Sequence, residues 1–242
     1  MVMMRFLMIL IMGWFAYPLV AQETTPEPDT PTPDIPLVIY GNEPALRNNI
    51  LITIDDCIDE VLTRQMFEFL VEHDITAVFF PLGSELIEHD PTLWQEIIDA
   101  GFEIGYHTRY HNEGMTIPEL EEDFAAFQAD LRDVLDDPDY TIRYVRPPYG
   151  VWDRNWLEWA EANNLVTVRW NLVTRFDLTM AYFEAVLRHE NGGGIVLVHP
   201  RPTDMNWLEN HIDDVMALTT EAGEPYRIVN LTQAFSDDEE AE

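Results

Sequence analysis

Four short polar clusters, each directly behind an apolar run, hold the residue types that could do chemistry. The first is Asp55-Asp56, after Ile50–Ile54. Adjacent carboxylates repel, and a bound cation or a proton-transfer role would offset that cost. In an extended backbone the two point to opposite sides, so each is free for a different task. An aspartate pair capping the next helix is the competing reading. The second cluster is His107-Thr108-Arg109-Tyr110-His111. Two imidazoles four residues apart on a turn or helix can face one metal ion. With a carboxylate from another strand end they would form an Asp-His-His set that leaves positions open for water and substrate, as catalytic zinc sites do. The third is Arg146-Pro147-Pro148-Tyr149-Gly150. Its prolines stiffen the loop, Gly150 permits an unusual turn, and the Tyr149 N–H is the first donor a developing oxyanion could meet. Such a loop can equally be a plain turn. The fourth is His199, after Leu197-Val198. A single histidine there is ordinarily a satisfied core residue; its company with the other three raises the functional reading.

These clusters need elements that bring them to one place. β-rich runs at 50–54, 76–80, 102–106, 141–146, 165–170, 192–199 and 226–229 alternate with helical patterns at 59–73, 91–100, 117–136, 153–163, 179–190 and 206–222. About seven strands separated by helices predict an α/β fold with a mainly parallel sheet, closed or nearly closed into a barrel. In such folds the chemistry sits on loops at the C-terminal strand ends, where all four clusters fall.

Composition narrows the partners. The chain has 242 residues, 47% apolar types, and 13 Lys plus Arg against 45 Asp plus Glu, for a formal charge of −32. Nucleic acid is excluded, because phosphate binding needs clustered basic groups. A neutral or cationic ligand suits this field, which also keeps an exported chain soluble. The single cysteine, Cys57, excludes an intramolecular disulfide and a multi-cysteine metal site. Arg5, the apolar run Phe6–Val20 and the small Ala21 read as a secretory signal peptide over 1–21, followed by a Pro/Thr-rich linker over 22–36. The apolar run falls short of the ~20 residues of a membrane span, so the uncleaved anchor is the alternative. No cysteine stands near Ala21 to take a lipid anchor. The folded unit is expected over 37–235 and an acidic disordered tail over 236–242. The mature protein is expected to be secreted, periplasmic or cell-surface, and a monomer.

Taken together, the motifs resemble those of the polysaccharide deacetylases of carbohydrate esterase family 4, whose nodulation-deacetylase-like domain is a distorted (β/α) barrel. The resemblance spans roughly 48–230, in the family's order. Ile52-Thr53-Ile54-Asp55-Asp56-Cys57 stands at the family's aspartate strand end, His107–His111 at its histidine pair, Arg146–Gly150 at its arginine-proline-aromatic-glycine loop, and Leu197-Val198-His199 at its leucine-x-histidine ending. It implies that Asp55 is the general base, that Asp56, His107 and His111 bind a divalent metal (Zn2+ first, Co2+ or Ni2+ otherwise), and that Arg146 orients the base. It further implies that the Tyr149 N–H holds the oxyanion, that His199 is the general acid, that Trp170, Leu197 and Pro148 line the acetyl pocket, and that Thr108 braces the histidine loop. The implied substrate is an acetylated polysaccharide, N-acetylated or O-acetylated.

Two departures stand out. Cys57 replaces the usual glycine beside the base. The family's fourth motif, W-x-x-D-x-x-D-W, reads from Trp170 with Val173 and Phe176 at its two aspartate positions and Asp177 one place late. Those aspartates support the arginine and the acid histidine, so Asp177 becomes a candidate substitute. The erosion keeps a second reading open: a weakened deacetylase-like protein that binds metal and a cell-wall glycan.

Overall fold

The computed structural model describes residues 37–174, 178–189 and 192–236. In chain order the elements are β1 (Val38–Ile39), β2 (Asn49–Asp56), α1 (Glu60–Glu72), β3 (Val78–Pro81), α2 (Gly83–Glu88), α3 (Pro91–Asp99), β4 (Glu103–Ile104), α4 (Ile117–Leu135), β5 (Tyr144–Val145), α5 (Arg154–Ala162), β6 (Val166–Val168), β7 (Leu172–Val173), α6 (Met180–His189), β8 (Gly194–Val198), α7 (Pro202–Met216), β9 (Arg227–Ile228) and α8 (Leu231–Ser236). Among the described residues every strand pairing is parallel. One sheet runs β4-β3-β2-β8-β7, with β9 pairing the start of β2, and the other β1-β6-β5. Tyr106, just past β4, bridges to Val145 of β5 and joins the two into one curved wall. The result is a distorted (β/α) barrel.

β2 is its axis. All eight of its residues are buried, because β3 and β9 cover one edge and β8 the other. That environment favours a continuous apolar run over an alternating one. Alternation still sorts its side chains. Ile50, Ile52 and Ile54 join the cluster between sheet and helices, with Met66, Leu70, Trp94 and Phe127. Leu51 joins the second cluster, with Val78, Phe80, Tyr144, Val168 and Ile195, inside the sheet's curve. Thr53 and Asp55 continue the inner row, so the first aspartate of the pair is aimed into the barrel mouth. Each large apolar side chain buried in these layers contributes ~1.5–3 kcal/mol. At the opposite end α8 adds Leu231, Ala234 and Phe235 to the inner cluster, and Glu103 accepts hydrogen bonds from its Leu231 and Thr232 N–H groups.

All seven expected strands are present. β1 and β7, each two residues long, are additions. α2 and α8, six residues each, are also additions. The largest correction is α7, which runs from Pro202 to Met216 rather than 206–222. Pro202 takes the first helical position, where a missing N–H costs nothing, and beyond Met216 the chain turns so that Thr219 can bridge to Pro225. α8 continues through Ser236, one residue into the expected tail. The expected leader and linker at 1–36, the remainder of the tail, and Phe176 and Asp177 lie outside the described residues.

Candidate metal centre and active site

The helix-capping reading of Asp55 and Asp56 does not hold, because the cap of α1 is Asp59, which accepts from the Leu62 N–H. Asp55 and Asp56 instead sit buried at the C-terminal end of β2. Arg146, at the end of β5, is wholly buried and donates from Nη1 to Asp55 Oδ1 at 2.6 Å and to Thr53 Oγ1 at 2.9 Å. Its Nε and Nη2 donate to the Val168 and Arg169 carbonyls. Thr53 passes the network on to the Val196 carbonyl of β8. The guanidinium lies 4.4 Å over the Phe80 ring and 5.4 Å from that of Trp170. A buried charge with so many fixed partners holds one geometry, and removing its carboxylate would leave it uncompensated.

His107 is buried, with Nδ1 2.8 Å from the Arg146 carbonyl. A carbonyl only accepts, so Nδ1 carries the proton and Nε2 presents its lone pair. That Nε2 lies 3.5 Å from Asp56 Oδ1, and His111 Nε2 lies 3.4 Å from the same oxygen. Asp56 Oδ1 is buried and has no hydrogen-bond partner. Donor atoms of Asp56, His107 and His111 all fall within 4.8 Å of one another. Tetrahedral zinc with bonds of about 2.0–2.1 Å needs neighbouring ligand atoms roughly 3.3–3.4 Å apart. The spacing, the donor types and the orphaned carboxylate oxygen fit a divalent metal. Burial pushes the His111 imidazole below its usual range, which favours the neutral form a metal requires. Burial also pushes Asp56 up, but His107, His199 and His111 outweigh it and bring its carboxyl down to about 2.

Strained backbone aims these groups. Asp56, Cys57, Thr108, His111 and Tyr149 all hold left-handed φ, from 56° to 67°. Each such non-glycine residue costs on the order of 1–3 kcal/mol, a cost that collects at functional sites. At Cys57 this explains the family's glycine. Its side chain, however, turns into the outer core cluster rather than toward the base, and burial raises its thiol far above the usual range. The histidine loop is braced through its backbone: the Gly83 and Ser84 N–H groups donate to the Thr108 and Arg109 carbonyls. The Thr108 hydroxyl is buried without a partner, so its expected brace comes from its carbonyl. Asp123 of α4 adds another, accepting from the Tyr106 hydroxyl and the Arg109 N–H.

Tyr149 packs its ring edge-on to His111, centroids 4.4 Å apart. Gly150 is needed beside it, since a Cβ there would stand 2.5 Å from the Trp170 ring. Pro148 lines a cavity of about 390 Å3 with Asn112, Met115, Val151 and Trp156, but neither Trp170 nor Leu197 reaches its wall. Leu197 is buried in β8, level with Thr53 and Val173.

His199 closes the ring of groups, its Nε2 3.9 Å from Asp56 Oδ2. Two neighbours outside the four sequence motifs complete this side. Arg201 donates from Nη2 to Asp56 Oδ2 at 3.0 Å. Asp204 accepts from the His199 backbone N–H at 2.9 Å, with the same oxygen 3.5 Å from Nδ1. The signal was Pro202 at a helix start with an acid two residues on, where the helix dipole favours a carboxylate. His73, His89, His189 and His211 belong to helices or their ends, apart from this cluster.

The sequence profile for polysaccharide deacetylases matches residues 42–168, just over half the chain. The chain belongs to the polysaccharide deacetylase family. Among its relatives, a chitooligosaccharide deacetylase of Sinorhizobium fredii is 26% identical over 62% of this chain and 71% of its own length. A peptidoglycan-N-acetylglucosamine deacetylase of Bacillus cereus is 28% identical over 66% of this chain, which spans 58% of that protein. A crystal structure of a CE4 family pseudoenzyme from Bacillus anthracis superposes with TM-score 0.64 at 22% identity, over 82% of this chain and 68% of that one. This family member therefore shares its fold with a protein described as a pseudoenzyme, and the fold alone does not decide activity.

Proposed function

We propose that this chain hydrolyses acetyl groups from an N-acetylated polysaccharide outside the cytoplasm, reached through the leader at 1–21. The observation that carries the reading is the orphaned Asp56 Oδ1 facing two imidazole Nε2 atoms, with a carboxylate held by arginine on one side and His199 on the other. Asp56, His107 and His111 would hold a divalent ion, zinc first. When bound, such an ion polarises the acetyl carbonyl and lowers the pKa of bound water to about 7. Asp55, pinned through Oδ1, accepts the proton of the attacking water. The water oxygen joins the acetyl carbon, the Tyr149 N–H faces the developing oxyanion, and the C–N bond breaks as His199 Nε2 gives its proton to the departing nitrogen. Acetate and a free amine result. The relatives' names support chitin-like or peptidoglycan substrates, and an O-acetyl ester would use the same groups.

The test is acetate release with added zinc or cobalt from chitin oligomers, peptidoglycan, an acetylated exopolysaccharide and acetylated xylan. Release from an N-acetylated glycan is the expected result. Background release from all four, with metal still bound, would replace this reading with the glycan-binding one.

A further inference from the structure

An acid histidine needs a fixed partner at Nδ1. Without one its ring turns freely and neither nitrogen is committed to the substrate side. The carboxylate position expected for this on β7 holds Val173. The chain brings a carboxylate from elsewhere. Because α7 starts at Pro202, Asp204 falls in its first turn, buried against the loop that leaves β8. Its Oδ2 accepts from the His199 N–H at 2.9 Å and faces Nδ1 at 3.5 Å, while its Oδ1 accepts from Thr203 Oγ1 at 3.1 Å. The Asp204 and Met205 N–H groups donate to the Arg201 carbonyl and close the turn. Burial pushes the Asp204 carboxyl up, but the hydrogen bonds from His199 and Thr203 outweigh it and keep it ionised.

We propose that Asp204 is the positioning residue for His199: it takes the Nδ1–H, commits Nε2 to the substrate side above Asp56, and stands in for the carboxylate that β7 lacks. The hold on the ring stands on geometry alone, whereas its catalytic consequence rests on the deacetylase reading above.

Two measurements on the zinc-loaded full chain test it. In histidine-ring nitrogen NMR, with His199 assigned by His199→Ala, wild type should show a hydrogen-bonded Nδ1–H that Asp204→Ala loses and Asp204→Glu partly restores. An unchanged signal in Asp204→Ala would overturn the proposal. In kinetics, Asp204→Asn should lower deacetylation of an N-acetyl glycan ~10–100-fold. Hydrolysis of 4-nitrophenyl acetate, whose leaving group departs unprotonated, should fall no more than about threefold. Equal losses on both substrates would mark Asp204 as merely structural and sink the idea. An Nδ1–H that responds as expected in a protein releasing no acetate would establish the hold on His199 and overturn only the deacetylase reading.

Discussion

The two sides of the active site are built differently. On the β2–β4–β5 side, Asp55, His107 and Arg146 are buried and locked by groups far away in sequence. Left-handed backbone at Asp56, Thr108, His111 and Tyr149 fixes their direction. On the β7–β8 side, His199 is held by a carboxylate five residues downstream, and Arg201 reaches Asp56 from the same short loop. The first side resists change because any substitution disturbs several elements at once. The second is a local solution, one turn of helix carrying its own partner, and a family can move such a partner without rebuilding the sheet. Metal ligation and acid support are therefore separable, and mutation should separate them.

The largest effect belongs to the locked side. His111→Ala should abolish metal retention and all metal-dependent activity, since two protein ligands make an inadequate site; elemental analysis after gentle purification checks it. His73→Ala, on the far end of α1, should retain the ion. Next comes Asp55→Asn. The amide still fills the site but cannot accept the water proton, so acetate release should fall ~10²–10⁴-fold with metal stoichiometry unchanged. Loss of metal along with activity, in a variant whose unfolding transition shows that it still folds, would show that the two aspartates do not divide their tasks.

What was legible in the sequence follows the same division. Asp55, His107, Arg146 and His199 follow apolar runs long enough to announce a strand, and a polar residue at the end of such a run stands out. β1 and β7 announce less: β1 directly follows the proline-rich segment and β7 directly follows the run at 165–170, so neither stands out as a separate run. The periodicity places the start of α7 at 206, four residues past its observed start at Pro202, so Asp204 falls in an apparent linker. Asp177 stands near in sequence to the expected place of the missing carboxylate, whereas the carboxylate that faces His199 among the described residues comes from the start of α7.

A smaller effect probes the brace under the histidine loop. Tyr106→Phe removes the hydroxyl that donates to Asp123 at 2.7 Å. Asp123 keeps the Arg109 N–H. Thermal or denaturant unfolding should show a loss of about 1–3 kcal/mol, with the metal still bound. A loss of metal instead would mean that α4 takes a direct part in shaping the ligand set.

The smallest effect is expected where the family pattern predicts a gain. If the missing β7 carboxylate limits this enzyme, Val173→Asp should raise its turnover. Val173 lies level with Leu197, two residues before His199 on the neighbouring strand, so an aspartate there enters on the same face of the sheet. Nδ1 of His199, however, already faces Asp204, and one N–H satisfies one acceptor. A second carboxylate has no proton to take and adds negative charge beside the first. Turnover of an N-acetyl glycan by Val173→Asp should therefore stay within about threefold of wild type. A rise of tenfold or more would show that Asp204 leaves His199 undersupported, and that the two sides of the site are less independent than their construction suggests.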